Sequence, residues 1–224
     1  MISPDGEEGF PGEVHLQVQF SLVDNQFLIH YLATTTKPTP INLTNHTHFN
    51  LLGYNRPIND HLMELNSSYY LPTDETVVPT GEIVSVDHTP FDFKKMTRID
   101  KGDGWFEGTR GYDHCFIMNS PTSKDELNLI TKLYCEQSGI HLEVRGTQPG
   151  VQIYTSNFFD GSIKAKKSQI KEGESTSDFY EKQAGVAIET QHYPDTPNHP
   201  DFPSIFIYPE QEYNHSTAWK FSVQ

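Results

Sequence analysis

Period-two alternation near the start of the chain is the feature that most restricts its fold. Between positions 14 and 20, apolar and polar side chains alternate in the order Val-His-Leu-Gln-Val-Gln-Phe. Because successive side chains of a β-strand point to opposite faces, this order predicts a strand with one buried and one exposed face. Asp24 and Asn25 then predict a turn, and the run 27–32 predicts the returning strand of a hairpin.

Six later segments have the length and composition of strands. They are 127–135, 141–146, 151–157, 185–189, 204–208 and 218–223. Aromatic residues make up 12% of the 224 residues, with 15 glycines and 15 prolines, a mixture that favours strands joined by turns over helix bundles. We therefore predict an all-β fold, an antiparallel β-sandwich, in a chain of 224 residues that is long enough for one such domain or two small ones.

The formal net charge of −14 limits the ligands that the chain can bind. An acidic surface repels phosphate groups, so we expect neither nucleic acid nor an anionic membrane as a partner, whereas a neutral sugar meets no such repulsion. No signal peptide and no apolar run of membrane-spanning length are visible in the sequence. The two cysteines predict free thiols rather than a disulfide framework, and we expect a cytoplasmic protein.

The densest group of polar side chains is the segment 42–51, which reads Asn-Leu-Thr-Asn-His-Thr-His-Phe-Asn-Leu. His46 and His48 are its candidates for chemistry, because imidazole is the side chain that exchanges protons near neutral pH. Hydrogen bonding inside a polar turn is the simpler interpretation. Zinc binding is a weaker one, because no cysteine or carboxylate lies nearby at ligand spacing. The residues alone leave these alternatives open.

Two carboxylates stand in contexts that suit proton transfer or ligand binding. Asp113 follows a Gly-Tyr pair, where capping a strand is the simpler role. Glu189 follows the apolar run 185–188, and burial there would raise its pKa toward a value useful for a general base. A glutamate that reaches water at the strand end is the competing interpretation. A histidine acid with a glutamate base would suit many hydrolases and isomerases.

Several blocks in collinear order resemble the aldose 1-epimerase (galactose mutarotase) family. The segment 42–51 is similar to the family's Asn-Leu-Thr-Asn-His-Ser/Thr-Tyr-Phe-Asn-Leu signature, and Gly-Tyr-Asp-His at 111–114 to its Gly-Phe/Tyr-Asp-His motif. Gln-Pro-Gly-Val-Gln-Ile-Tyr-Thr at 148–155 and Ile-Glu-Thr-Gln-His-Tyr-Pro-Asp at 188–195 resemble two further blocks, and 3–12 an earlier one. The resemblance runs essentially from end to end.

This resemblance implies a fold and a role for each matching residue. The fold is the large antiparallel β-sandwich of the galactose mutarotase type, called a supersandwich, and residues 1–224 form a single domain of this type. At the matching positions His46 is the general acid, Glu189 is the general base, and Asp113 and Gln152 bind the sugar. The implied reaction interconverts the α and β anomers of hexoses such as galactose and glucose by ring opening and reclosure. The ligand is a monosaccharide, an aldohexose, and the reaction needs no cofactor and no metal.

Two departures from the family pattern modify these expectations. His48 stands where the family usually has tyrosine. Met1 matches a position part-way into the family sequence, so we expect the N-terminal strands to be missing, together with a substrate-binding arginine and a second active-site histidine. A catalytically impaired sugar-binding or regulatory relative is therefore the alternative function. A hexose-phosphate epimerase would need cationic phosphate clamps, which the net charge of −14 disfavours.

Overall fold

Strands dominate the computed structural model, which describes residues 1–53, 55–101, 111–119, 126–170 and 177–224. In chain order the strands are β1 (Ile2–Ser3), β2 (Val14–Val23), β3 (Gln26–Thr35), β4 (Thr39–Pro40), β5 (His48–Phe49), β6 (Leu62–Leu65), β7 (Ser67–Leu71), β8 (Val84–Ser85), β9 (Thr97–Arg98), β10 (Asp113–Met118), β11 (Asn128–Cys135), β12 (Ile140–Gly146), β13 (Gly150–Tyr154), β14 (Val186–Gln191), β15 (Phe206–Ile207) and β16 (Tyr213–Val223). Within these described ranges, short 3-10 helices span Glu7–Gly9, Lys167–Gln169 and Thr196–Asn198.

Most of these strands form two sheets. The larger sheet has eight strands in the order β1-β2-β3-β16-β12-β11-β6-β9, and the smaller has six in the order β5-β14-β13-β10-β7-β8. Strands β4 and β15 pair with each other separately. Neighbouring strands run antiparallel throughout the described residues. The hairpin predicted from the alternation is the pair β2 and β3, in register from Val14 opposite Thr35 to Val23 opposite Gln26.

The apolar faces of the two sheets pack against each other and form the core. Leu133, Leu142 and Val144 of the larger sheet are fully buried, as are Phe116 and Ile153 of the smaller sheet. Complete burial of a side chain of this size contributes about 1.5–3 kcal/mol relative to its exposure, so this apolar layer is the main favourable contribution to folding. The predicted all-β antiparallel sandwich is confirmed.

The smaller sheet does not pack against the whole inner face of β2. Val18 and Phe20 lie on the same face as Tyr31 and Ile29, their buried partners in β3. Val18, Phe20 and Leu22 are nevertheless 37%, 63% and 73% exposed. An apolar strip therefore lies open at this end of the larger sheet.

The predicted strands have the right identity but not always the right extent. The predicted strand 151–157 ends at Tyr154, because Ser156 adopts a φ of 55°, which an extended strand does not accept. The predicted strand 204–208 shortens to β15, and 218–223 forms the second half of β16. Among the described residues, eight strands have no counterpart among the predicted segments, namely the two-residue strands β1, β4, β5, β8 and β9 and the longer strands β6, β7 and β10.

The packing of the core predicts that a buried and an exposed leucine of the larger sheet differ in their sensitivity to mutation. Leu142→Ala is expected to lower the free energy of unfolding by about 2–5 kcal/mol, because it leaves a cavity in a closely packed layer. Leu22→Ala on the open strip is the matched control, with an expected change of about 0.5 kcal/mol or less. Urea unfolding followed by circular dichroism measures both. Equal losses in the two variants would show that the strip is not open in solution.

Candidate active site

The face of the smaller sheet that points away from the core carries the candidate residues. Residues directly opposite each other in antiparallel strands point to the same face of a sheet. Gln152 of β13 is opposite Glu189 of β14, and Asp113 of β10 is opposite Tyr154 of β13. Val151, Ile153 and Ile188, which alternate with them on β13 and β14, belong to the apolar core. Strand register therefore brings together three side chains that are far apart in the sequence.

His46 reaches this face from the loop between β4 and β5. Asn42 anchors the loop, because its Oδ1 accepts the backbone N–H of His192 at 2.9 Å and its Nδ2 donates to the carbonyl of the same residue at 3.2 Å. The hydroxyl of Thr44 donates to the carbonyl of Thr190 at 3.0 Å. These side chains bond the end of β14 as a neighbouring strand would, and the loop follows that strand.

The imidazole of His46 and the carboxylate of Glu189 are in direct contact. Nε2 of His46 lies 3.1 Å from Oε1 of Glu189, and the two side chains are 59% and 10% exposed. Burial raises the pKa of Glu189, with an opposing effect from His46 and an additional rise caused by Asp113. A carboxylate with a raised pKa is a stronger base than an ordinary glutamate.

Asp113 and Gln152 form a second polar pair beside the first. Nε2 of Gln152 donates to Oδ1 of Asp113 at 2.8 Å, which orients both side chains. Burial raises the pKa of Asp113, and the bond from Gln152 and the proximity of His46 oppose this rise. Among the described residues, Oε1 of Gln152 is buried without a hydrogen-bond partner. The pair thus offers oxygen acceptors of the kind that sugar hydroxyls require.

A buried network fixes the backbone that leads to Asp113. The backbone N–H of Tyr112 donates to Oγ1 of Thr155 at 2.8 Å, and its carbonyl accepts Nδ2 of Asn157 at 2.8 Å. Gly111 has a φ of 102°, and a Cβ at this position would lie 2.3 Å from Oδ1 of Asn157. The Gly-Tyr-Asp segment therefore does more than end a turn, because it sets the position of the carboxylate.

Three residues that the sequence analysis did not single out also line the site. Tyr154, Phe158 and Gln191 border an open cavity of about 350 Å³ together with the four predicted residues. Tyr154 lies two residues after Gln152, and Gln191 two after Glu189, so strand alternation is a signal that identifies both. The exposed Phe158 lies within a turn and has no such signal. The described residues that line the cavity include no lysine or arginine.

Two expectations from the sequence concern metals and membranes. In the part of the chain that the structure describes, no group of three or more His, Cys, Asp or Glu side chains is placed to hold a metal ion. The rings of His46 and His48 instead stack face to face, with centroids 5.0 Å apart. Among the same described residues, no helix combines the length and the apolar character needed to cross a membrane.

Comparison with known proteins decides the family. The family model for Aldose 1-epimerase matches residues 1–220. The chain belongs to the aldose 1-epimerase family. It is similar to galactose mutarotase of Homo sapiens, with 42% identity over 223 residues, which are 99% of this chain and 61% of the human protein. Aldose 1-epimerase of Escherichia coli K12 is 33% identical over 230 residues, covering 100% of this chain and 63% of the bacterial protein.

Solved structures of this family have the same fold. A GalM/aldose epimerase homologue from C. elegans superposes with a TM-score of 0.84 at 27% identity, covering 100% of this chain and 64% of that one. Galactose 1-epimerase from Lactobacillus acidophilus gives a TM-score of 0.76 at 26% identity, covering 100% and 61%. The galactose mutarotase type of sandwich is therefore confirmed. The chain spans less than two thirds of the length of the curated relatives described above.

The raised pKa of Glu189 predicts a stability that depends on pH. In the folded protein Glu189 binds its carboxyl proton more tightly than in the unfolded chain, where this carboxyl has the ordinary pKa of 4.5. The free energy of unfolding therefore falls as the pH rises through the pKa of Glu189 in the folded protein. We expect Glu189→Gln to be more stable than the unmodified chain at pH 7, with an advantage that shrinks as the pH falls toward 4.5. Urea unfolding at a series of pH values measures this difference.

Glu143→Gln is the matched control for this measurement. Glu143 lies on the larger sheet and accepts a hydrogen bond from Nε of Arg145 at 2.6 Å, outside the cavity. Its substitution removes a carboxylate in a surface ion pair, so no gain in stability is expected. A Glu189→Gln advantage that grows toward acidic pH would contradict the raised pKa.

Proposed function

We propose that this chain carries the acid–base pair of an aldose 1-epimerase, which interconverts the α and β anomers of an aldose. The 3.1 Å contact between Nε2 of His46 and Oε1 of Glu189, in an open polar cavity, is the observation that supports this most directly. The two oxygens that exchange protons in mutarotation, the anomeric hydroxyl and the ring oxygen, are bonded to the same carbon. An acid and a base that serve both must lie close together, as these two groups do.

The reaction follows from the two groups in their proposed roles. Glu189 accepts the proton of the anomeric hydroxyl while His46 donates a proton to the ring oxygen, and the bond between the anomeric carbon and the ring oxygen breaks. The open-chain aldehyde rotates about its C1–C2 bond, and reclosure with the roles reversed delivers the other anomer. Concerted proton transfer avoids a free alkoxide and a free oxocarbenium ion, so the proposed reaction needs no cofactor.

Asp113 and Gln152 are the proposed sugar-binding residues. The carboxylate of Asp113 accepts hydrogen bonds from ring hydroxyls, and the buried Oε1 of Gln152 is a second acceptor. Tyr154 and Phe158 supply aromatic surface at the rim of the cavity for the apolar side of a pyranose ring. Their combined effect is to hold the anomeric centre against the acid–base pair, and orientation of this kind is a large part of catalysis.

We propose a neutral aldohexose, such as galactose or glucose, as the substrate. Asp113 and Glu189 line the cavity without a lysine or arginine among the described lining residues, which disfavours a sugar phosphate. Several curated relatives are named galactose mutarotase, which supports galactose in particular. A cytoplasmic location is proposed as well, because Cys115 and Cys135 are free, buried thiols of the kind that a reducing compartment maintains.

Substitution of the base tests the proposal. Glu189→Gln is expected to abolish catalysed mutarotation, because glutamine keeps the size of the side chain but cannot accept the proton. Polarimetry of freshly dissolved α-D-galactose and α-D-glucose measures the rate. Glu143→Gln, which removes a carboxylate outside the cavity, is expected to retain the rate of the unmodified chain. Unchanged turnover in Glu189→Gln would assign the base to another group.

Substitution of the proposed acid, His46, is expected to reduce the rate of mutarotation without abolishing it. His46→Asn is expected to lower the rate about 10²–10⁴-fold, the usual contribution of general acid catalysis. His15→Asn is the control, because His15 lies exposed on β2 and pairs with Glu13. Binding measured by calorimetry separates the alternative function: a folded chain that binds sugar without accelerating mutarotation would be an impaired sugar-binding relative.

A further inference from the structure

His48 packs against the proposed acid without belonging to the acid–base pair. Its ring stacks on that of His46 with centroids 5.0 Å apart and an angle of 24° between the planes. Phe159 lies on it at a centroid distance of 5.1 Å, and Tyr154 meets it edge-on at 5.7 Å. Three rings from two parts of the chain therefore confine the His48 imidazole.

A hydrogen-bond relay assigns the proton of His48. The hydroxyl of Ser156 donates its single hydrogen to the carbonyl of Gly185 at 2.8 Å. Nδ1 of His48 lies 2.9 Å from the same hydroxyl oxygen, so this oxygen is the acceptor and Nδ1 carries the hydrogen. The network therefore selects the tautomer of His48 that is protonated at Nδ1.

The backbone at Ser156 and at Gly185 permits the close contact between His48 and Ser156. Ser156 is fully buried and has a φ of 55°, the left-handed region that a serine rarely adopts. Gly185 allows β5 to approach closely, because a Cβ there would lie 3.2 Å from Cβ of His48 and 3.3 Å from the carbonyl oxygen of Phe49. Neither feature is required by the contact between His46 and Glu189 itself.

Burial keeps the His48 ring uncharged at neutral pH. It lowers the pKa of His48 to about 4, and the neighbouring His46 lowers it as well. A charged ring stacked on His46 would repel the proton that His46 is proposed to donate. An uncharged ring supports His46 without this repulsion.

We propose that His48 is a positioning residue for His46: with its own proton held on Nδ1 by Ser156, it supports the face of the His46 ring and keeps Nε2 of His46 directed at Glu189. The inference rests on the proposed function in so far as it takes His46 as the acid. A tyrosine at this position would carry its polar atom beyond the ring and would offer no donor at the position of Nδ1. The relay through Ser156 is therefore specific to a histidine at this position.

Two kinds of variant separate the parts of this arrangement. His48→Phe retains a ring that can stack and removes the donor, and Ser156→Ala removes the acceptor. Each is expected to lower kcat about 10-fold or more with little change in KM, because a displaced acid slows proton transfer while sugar binding remains. The double variant is expected to lose no more than either single one, since both act through one hydrogen bond. His15→Phe on β2 is the matched control, with an unchanged kcat.

Nitrogen-15 NMR of the unmodified chain tests the placement without reference to turnover. At pH 7 we expect His48 to be neutral and protonated at Nδ1, and Ser156→Ala to populate the other tautomer. We also expect the Nε2 resonance of His46 to shift in His48→Phe but not in His15→Phe. A charged His48, protonation at Nε2, an unshifted His46 resonance or an unchanged kcat in His48→Phe would overturn the inference. Absence of mutarotation in the unmodified chain would instead overturn the proposed function, and the NMR results would still decide whether His48 positions His46.

Discussion

The carboxylate of Glu189 lies on β14, a strand whose side chains are buried on both faces. Removing a carboxylate from water costs free energy, and its close partner here is the mostly exposed imidazole of His46 rather than a fixed cation. A lysine or arginine at that distance would hold the pKa of the carboxyl low and leave a weak base. Asn42 anchors the loop that carries His46, because it hydrogen-bonds to the backbone of His192 directly after β14. The loop is thereby held where His46 contacts Glu189.

The fold was predictable where a strand carries its own pattern. The segment 14–20 alternates, and 185–188 is a run without polar side chains that ends at Glu189, so both are recognisable from their side chains alone. Strands β6 and β7 are four and five residues long, too short for such a pattern. Strand β10 begins with the polar pair Asp113 and His114, and its strand character comes from pairing with β7 and β13. Tertiary pairing of this kind is not encoded within any one segment.

The residues of the candidate site were predictable from the sequence, but their geometry was not. Residue type and family resemblance indicated His46, Asp113, Gln152 and Glu189, and the structure places all four around one cavity. Their distances depend on the register between strands that are remote in sequence, which no local pattern specifies. The role of Asn42 was also hidden, because a side-chain amide that bonds to a strand looks the same in sequence as one in a polar turn.

The open apolar strip on β2 affects how copies of the chain associate with one another. Phe20 and Leu22 adjoin a groove whose lining includes Phe27, Trp219 and Phe221, so the apolar area is continuous. At a net charge of −14, two copies repel each other before these areas can meet. Salt shortens the reach of that repulsion to about 8 Å at physiological ionic strength. The acidic composition thus also keeps copies of the chain apart, to an extent that the ionic strength of the solution sets.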